Sequence, residues 1–250
     1  MIPLSIIIVA KNEADVIRAC LDSIQGMSDD IILCDTGSTD DTIKIAVEKG
    51  ARIIEMEWQG YGKTKNKVNT FAKYNWILQL DADEYIDEEL RNQLRTINWS
   101  DTDNAYCIRR KRFFMGKVLR YGAWGNEKKI RLFPRISAEW TDDLVHETLI
   151  LKNLKTRNIR GYIYDQTFKN DVHFSKKMES YALLCAKKYH LKKVSGAFWK
   201  RFLSPIYTFY WNYFIRLGML DGRAGLIHAT IIAQYTFRKY AELYKLEKKR

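Results

Sequence analysis

The chain has 250 residues, of which 46% are hydrophobic, enough for one large α/β domain or for one domain with an appendage. Its 42 Lys and Arg residues against 30 Asp and Glu residues give a net charge of +12. We therefore expect anionic partners: phosphate-bearing substrates, nucleic acid or an anionic membrane. The four cysteines are scattered without a C-x-x-C pair, which argues against a disulfide framework or a zinc site and fits a reducing compartment.

The first third of the chain alternates apolar runs with amphipathic segments. The run Leu4–Ala10 is too short for the apolar core and cleavage site of a signal peptide, so it predicts a first strand. Further strands are predicted at 31–34, at 51–55 and in the run that leads into Asp81. Helices are predicted between the strands, and the last of them, from Lys63 to Lys73, is basic. This alternation with short connections predicts a parallel sheet flanked by helices.

Polar residues stand where three of these strands end. Asn12 and Glu13 follow the first strand, Asp35 ends the second, and Asp81 with Asp83 ends the fourth. Ligands bind beyond the carboxyl ends of parallel strands, so a site is predicted at this edge of the sheet. Carboxylates one residue apart share a face while a strand persists, and they can hold a divalent cation that binds phosphate oxygens. The alternative is that these residues only cap strands and helices.

After Asp87 the alternation of strands and helices ends. Antiparallel strands are predicted around 106–110 and 128–134, and histidines follow in the segments 145–148 and 172–174. Four arginines in this region are candidates for clamping the phosphates of an acceptor, or they form only a solvated basic face. They are Arg109, Arg110, Arg131 and Arg135.

The C-terminal part of the chain reads as helical from Lys176. Its segment from Phe198 to Leu220 is dense in aromatic residues, and the uncharged run between Arg201 and Arg216 is too short for a membrane-spanning helix. A basic, aromatic segment of this kind either lies in the interface of an anionic membrane or packs as a helix on the domain.

Several motifs together resemble a known family. The segments Ser5–Glu13, Asp35–Asp40 and Leu80–Glu84 resemble, in order and spacing, the signature of glycosyltransferase family two. The segments Val145–Glu147 and Leu220–Gly225 look more narrowly like the β-glucosyltransferases that build the inner core of lipopolysaccharide. The general signature covers the first third of the chain, and the narrower likeness extends nearly to its end.

The resemblance implies an α/β GT-A fold, Rossmann-like, with a mostly parallel central sheet, flanking helices and a C-terminal helical extension. It implies inverting transfer from a nucleotide sugar, usually a UDP-sugar, with Mg²⁺ or Mn²⁺. On this basis residues 1–174 form the nucleotide-sugar-binding and catalytic domain, and residues 175–250 form the helical extension. The residues carried over to the nucleotide sugar are Ala10, Asn12, Glu13, Asp35, Lys65, Asn66, Asp81 and Ala82, and those carried over to the metal are Asp81, Asp83 and His173.

Inverting transfer needs a carboxylate that takes the proton of the acceptor hydroxyl. The family's usual Glu-Asp base motif is not evident, so Glu147 is the candidate base, with His146 as its orienter or as the alternative base. The pair also reads as a surface pair on a strand. His173, between two apolar residues, also reads as a core histidine rather than a ligand.

We therefore expect transfer of glucose from UDP-glucose to a phosphorylated, lipid-linked core oligosaccharide, by a cytoplasmic protein peripheral on the inner membrane. Two other functions stay open. A nucleotidyltransferase also places carboxylates at sheet ends, although it would more often show a glycine-rich basic loop after the first strand. A nucleic-acid-binding module fits the charge and the aromatics, although the basic residues are spread out and no RNA-binding signature occurs. Nucleic acid is therefore not the expected partner.

Overall fold

The computed structural model describes residues 1–125, 127–142, 147–168 and 171–248, without the side chains of 167, 168, 171–173, 176 and 177. The strands are β1 Leu4–Ala10, β2 Asp30–Asp35, β3 Arg52–Glu55, β4 Trp76–Asp81, β5 Glu84–Ile86, β6 Asn104–Phe114, β7 Lys117–Val118, β8 Glu127–Pro134, β9 Ala138–Trp140, β10 Leu149–Leu151 and β11 Lys155–Phe168. The helices are α1 Ile17–Ile24, α2 Thr42–Glu48, α3 Tyr61–Asn69, α4 Glu88–Arg95, α5 Asp171–Leu191, α6 Ala197–Tyr210 and α7 Gly222–Lys248.

The chain divides into two compact units. The first, here called the sheet unit, comprises residues 1–110 and 128–166, and the second, the helical unit, comprises residues 111–127 and 167–250. The functional division of the chain after residue 174 stays a prediction.

The sheet unit is built on a mixed sheet with the strand order β3-β2-β1-β4-β8-β6-β11-β5. Strands β1 to β4 pair in parallel, whereas β8 lies antiparallel to β4 and β5 lies antiparallel to β11. Strand β1 is apolar along its length because both of its faces are covered. Ile6 and Ile8 pack in the core with α1, and Ile7 packs with Val68 of α3 on the opposite face. The predicted α/β class is confirmed.

The helical unit contains α5, α6 and α7. Between α6 and α7 the chain forms a π-helical turn, Trp211–Ile215, and a 3₁₀ turn, Gly218–Asp221. The carboxylate of Asp221 accepts hydrogen bonds from the backbone N–H groups of Arg120 and Tyr121, which fixes the segment before the Gly122–Trp124 turn. The predicted C-terminal helical extension is confirmed. In the part of the chain that the structure describes, no helix has both the length and the apolar content needed to span a bilayer.

Gly225 is required at the start of α7 by a close approach of two backbones. A Cβ at this position would lie 1.9 Å from the carbonyl oxygen of Gly218. The Asp-Gly-Arg-Ala-Gly motif that suggested the narrower family likeness therefore has a structural role in the helical unit. Asp221 binds the backbone at Arg120 and Tyr121, and Gly225 allows the close approach to Gly218.

Candidate active site

The carboxyl ends of β1, β2 and β4 form one edge of the parallel sheet. Asp35, the last residue of β2, is in register with Ala10, and Asp81, the last residue of β4, is in register with Val9. The two aspartates therefore flank the end of β1, about 10 Å apart. Because successive side chains of a strand alternate, Asp35 and Asp81 start from opposite faces of the sheet at this shared edge.

Asp35 is 2% exposed, and its two carboxylate oxygens have different surroundings. Oδ2 accepts hydrogen bonds of 2.9 Å from the backbone N–H groups of Gly37 and Ser38. Oδ1 is buried and has no hydrogen-bond partner among the described residues. A buried carboxylate oxygen without a donor is costly, so it is a natural acceptor for a ligand N–H. The oxygen is enclosed, so a ligand reaches it only with a small local rearrangement.

Asn12 joins the loops that follow β1 and β2. Its backbone has φ +56°, a left-handed conformation that asparagine tolerates. Its Oδ1 accepts a 2.7 Å hydrogen bond from the N–H of Thr39, and its own N–H donates to Ser38 Oγ at 2.9 Å. The N–H of Glu13 donates to Thr42 Oγ1 at 2.8 Å. Asn12 and Glu13 thus lie on the Asp35 side of the edge, and these contacts shape the loops there.

Asp81 stands in a cluster of positive charge. Its Oδ2 accepts a 2.6 Å hydrogen bond from Arg131 Nη2, and its Oδ1 lies 3.7 Å from Lys65 Nζ. Burial by itself would raise the pKa of Asp81, but the charges of Arg131, Lys65 and Arg110 outweigh burial and hold that pKa well below its usual range. Asp81 is therefore ionised at neutral pH.

The arginines around Asp81 belong to a buried ion network. Glu84 is fully buried, accepts a 2.7 Å hydrogen bond from Arg131 and lies 2.9 Å from Arg110 Nε. Asp165, 1% exposed, pairs with Arg110. The guanidinium groups of Arg110 and Arg131 are thus engaged by carboxylates of the fold, so these two residues do not form a solvated basic face. Their role as acceptor clamps stays a prediction.

The other two candidate clamps bind neighbouring groups. Arg109 donates to the hydroxyl of Tyr162 at 3.2 Å. Arg135 donates to the backbone carbonyl oxygens of Asn69 and Thr70. The predicted contact of Arg109 and Arg135 with an acceptor phosphate stays a prediction.

Lys65 connects Asp81 with Glu147, the candidate base. Lys65 Nζ lies 2.7 Å from Glu147 Oε1 and 4.6 Å from the centre of the Trp140 ring, and its side chain is 5% exposed. The structure therefore brings together Asp81 of β4, Lys65 of α3 and Glu147, which lies 82 positions after Lys65 in the chain. Their roles in binding and catalysis stay predictions.

Asn66 and Gly62 fix helix α3 against β9. Asn66 Nδ2 donates to the carbonyl oxygen of Trp140, and the Trp140 N–H donates back to Asn66 Oδ1, both at 2.8 Å. A Cβ at Gly62 would lie 1.9 Å from the carbonyl oxygen of Thr141, so only glycine allows this approach. Asn66 thus contacts backbone here, and its predicted contact with a nucleotide stays a prediction.

The remaining metal candidates are placed only in part. Strand β4 ends at Asp81, and Ala82 and Asp83 form the turn into β5, so the expectation that Asp81 and Asp83 share a strand face does not apply. The carbonyl oxygen of Asp83 accepts a 3.0 Å hydrogen bond from the N–H of Gln166, which fixes this turn. His173 lies in α5, but its side chain is outside the described residues, and His146 is outside them entirely.

The donor set at this edge suits a hard divalent cation. No group of three His, Cys, Asp or Glu side chains that could hold a metal occurs within the described ranges. Mg²⁺ is nevertheless often held by only one or two carboxylates, with substrate phosphates and water completing its shell. Asp81 is already paired with Arg131 and Lys65, and the roles of Asp81 and Asp83 as metal ligands stay predictions.

Glu84 and Asp165 are the residues that sequence reasoning missed at this site, and it gave Arg110 and Arg131 no part in an internal ion network. Glu84 directly follows the Asp-Ala-Asp motif, and a carboxylate next to such a motif is a signal for a supporting contact. Asp165 had no local signal.

The chain shares similarity with several curated glycosyltransferases. An uncharacterized glycosyltransferase of Rickettsia bellii is 36% identical over 103 residues, 41% of this chain, and the chain spans only 35% of that relative's length. An uncharacterized glycosyltransferase of Rickettsia typhi is 26% identical over 98% of the chain and 88% of the relative. The lipopolysaccharide core biosynthesis glycosyltransferase LpsC of Rhizobium meliloti is 24% identical over 98% of the chain and 93% of the relative.

Among solved structures, glucosyl-3-phosphoglycerate synthase from Mycobacterium tuberculosis with Mn²⁺ and UDP-glucose is 23% identical. It covers 45% of this chain and 44% of its own, at a TM-score of 0.36, which is too low to support an inference. Residues 5–154, more than half of the chain, match the family described as glycosyl transferase family 2. The predicted resemblance is confirmed, and the chain belongs to glycosyltransferase family 2.

Proposed function

We propose that this protein is an inverting glycosyltransferase that moves a sugar from a UDP-sugar to a hydroxyl of a phosphorylated glycolipid or oligosaccharide. The carrying observation is the meeting of Asp81, Lys65 and Glu147 at the carboxyl edge of the parallel strands. It supplies an anchored anion, a cation and a second carboxylate at the place where such sheets bind ligands.

In this proposal the donor lies along the sheet edge. Its nucleoside end meets the Asp35 group, where the unpartnered Oδ1 accepts an N–H of the base. Its sugar end meets the group around Asp81. An extended nucleotide sugar is longer than the separation of the two aspartates, so one donor molecule reaches both groups although they start from opposite faces.

The departing diphosphate builds negative charge as the sugar bond breaks. A divalent cation held by Asp83 supplies Lewis-acid stabilisation of that charge when bound. Among the chain's own cations in this region, Lys65 has an ammonium group that is nearly inaccessible to solvent and therefore acts at low dielectric. A diphosphate oxygen competes with Glu147 for this ammonium group.

Glu147 acts as the general base in the proposal. In the structure its carboxylate is paired with Lys65 at 2.7 Å. When the donor diphosphate takes over the Lys65 contact, the carboxylate is released to accept the proton of the acceptor hydroxyl. Donor binding and activation of the base are then coupled through one lysine.

The donor sugar, the acceptor and the location are finer proposals. Glucose and a lipid-linked lipopolysaccharide core acceptor follow from the motif likeness, and the similarity to LpsC over nearly the whole chain supports the acceptor class. Peripheral binding on the cytoplasmic face of the inner membrane follows from the basic, aromatic C-terminal helices. Electrostatic attraction to anionic lipids is the physical basis.

Titration calorimetry of UDP-glucose, UDP-galactose and GDP-mannose, each with and without Mn²⁺, tests the donor and the metal. We expect tight binding of one UDP-sugar only when the cation is present. Asp83→Asn should remove the Mn²⁺ dependence, while Asp22→Asn, at an exposed site on α1, should leave it unchanged. Cation-independent binding that Asp83→Asn does not alter would show that the metal role is wrong, and failure to bind any nucleotide sugar would refute the function.

A further inference from the structure

The basic excess of the chain belongs to the helical unit alone. This unit holds 21 of the 42 Lys and Arg residues but only 6 of the 30 Asp and Glu residues, so it carries a charge of +15 and the sheet unit a charge of −3. A charge asymmetry of this kind indicates a partner that presents an extended anionic surface to one part of the chain.

Helix α6 exposes large apolar side chains instead of burying them. Trp199 is 67% exposed, Leu203 64%, Ile206 69% and Tyr207 61%. Contiguous apolar surface is rare on a soluble protein unless something covers it. Trp and Tyr are the residues enriched at the headgroup level of a membrane, and with the positive charge of this unit they match an anionic lipid surface.

A groove of about 740 Å³ lies between α5, α6 and α7 in the helical unit. Its apolar walls include Met178 of α5, Ile206 and Phe209 of α6, and Ile231 and Phe237 of α7. The volume falls in the range of small-molecule sites. Ile206 is also one of the most exposed side chains of α6, so the groove opens on the surface that the aromatic residues share.

Three of the polar residues that line the groove have partners within the protein. Glu179 and Arg238 form an ion pair of 2.8 Å, and Thr230 Oγ1 donates to the carbonyl oxygen of Leu226 at 2.9 Å. None of the buried side-chain atoms that lack a partner in the described residues belongs to the lining. Most of the lining is apolar, and a hydrocarbon chain needs no hydrogen-bond partner there.

We propose that this groove binds one hydrocarbon chain of an anionic membrane lipid, while the basic surface of the helical unit binds the headgroups around it. The inference rests on the membrane association proposed above and adds a defined lipid-chain site to it. A protein partner or a second copy would also cover apolar side chains, but a charge of +15 on the unit opposes self-association and favours a lipid surface.

The test uses the full chain and a lipid that carries one chain. Titration calorimetry with myristoyl lysophosphatidylglycerol below its micelle concentration should show binding, and glycerophosphoglycerol, the headgroup without a chain, should bind far more weakly. Thr230→Trp places a large ring in the groove from an exposed position of α7. It should weaken lysolipid binding at least about tenfold, the loss of roughly two buried methylene groups.

Leu226→Trp is the matched control, since it adds the same ring at an exposed position of α7 outside the groove and should leave the affinity unchanged. Gln234→Trp, also exposed and lining the groove, provides a second filled variant, and circular dichroism checks that each variant is folded. Equal binding of the lysolipid and the chainless headgroup would overturn the proposal. So would equal binding by the filled and control variants, or a lipid-free dimer that Thr230→Trp dissociates.

These measurements contain no donor and no acceptor, so they are separate from the transfer reaction. A protein that binds the lysolipid chain but transfers no sugar would refute the proposed function and leave the lipid-chain site standing. A protein that transfers sugar but binds the lysolipid no better than the chainless headgroup would refute the lipid-chain site and leave the proposed function standing.

Discussion

Replacement of Arg131 by methionine probes the buried ion network beneath Asp81. Arg131 is 4% exposed and donates at 2.6 Å to Asp81 and at 2.7 Å to Glu84. Methionine keeps much of the apolar stem of arginine but removes its charge. The variant therefore leaves Glu84, which is fully buried, with one cation fewer.

The size of the effect follows from these contacts. Each hydrogen bond to a charged group contributes about 1.5–3 kcal/mol, and removal of one partner from a buried ion pair costs about 3–5 kcal/mol. Arg110 stays 2.9 Å from Glu84, and Lys65 stays 3.7 Å from Asp81, so both carboxylates keep part of their compensation. We therefore expect the lower end of that range, about 3 kcal/mol of unfolding free energy.

Urea unfolding followed by circular dichroism measures this loss. Arg109→Met is the matched control, because Arg109 is exposed and contacts Tyr162 through a 3.2 Å hydrogen bond and the face of its ring. It should cost less than about 0.5 kcal/mol. The carboxyl resonance of Asp81 should also report a raised pKa, since one of the charges that lower it is gone. A loss for Arg131→Met no larger than that of the control would refute the reasoning.

Three further predictions concern other parts of the molecule. Gly225→Ala should lower the unfolding free energy by about 2 kcal/mol, because its Cβ would overlap the Gly218 carbonyl and the backbone must move; an unchanged melting temperature would contradict this. His228 is buried, and burial followed by the charge of Arg112 lowers its pKa from 6.5 to about 3. Its contribution is therefore complete above pH 6.5 and declines as the pH falls toward 3, by about 1.4 kcal/mol at pH 5.5; His228→Phe should flatten this dependence, and an equally steep profile would show that other groups cause it. Glu147→Gln should lower kcat at least about hundredfold without weakening UDP-sugar binding; retained turnover would exclude Glu147 as the base.

The edge of the sheet could be predicted from the sequence because its determinants are local. β-Branched runs with short connections indicate parallel strands, and the polar residue after each strand then lies at the shared edge, as Asp35 and Asp81 do. The predicted position of Asp83 on the same strand face failed because β4 ends one residue after Leu80, and a turn is not visible in an Asp-x-Asp spacing.

The contacts within the site depend on segments far apart in sequence. Arg110 and Arg131 read as surface arginines until the pairing of their strands directs them toward Glu84. The contact between Lys65 and Glu147 spans 82 positions, and no periodicity encodes it. Helix α5 begins at Asp171 rather than near Lys176, because the polar start of a helix resembles a loop when only composition is considered.

The attachment of α3 to β9 restricts how the proposed donor could reach Lys65. Asn66 and Trp140 exchange two hydrogen bonds, and Gly62 lies against the Thr141 carbonyl, so this helix and this strand are expected to travel as a single rigid body. Separating them would break both bonds at once. If a donor binds beside Lys65 as proposed, we therefore expect the lysine side chain to rotate away from Glu147 while helix α3 stays in place.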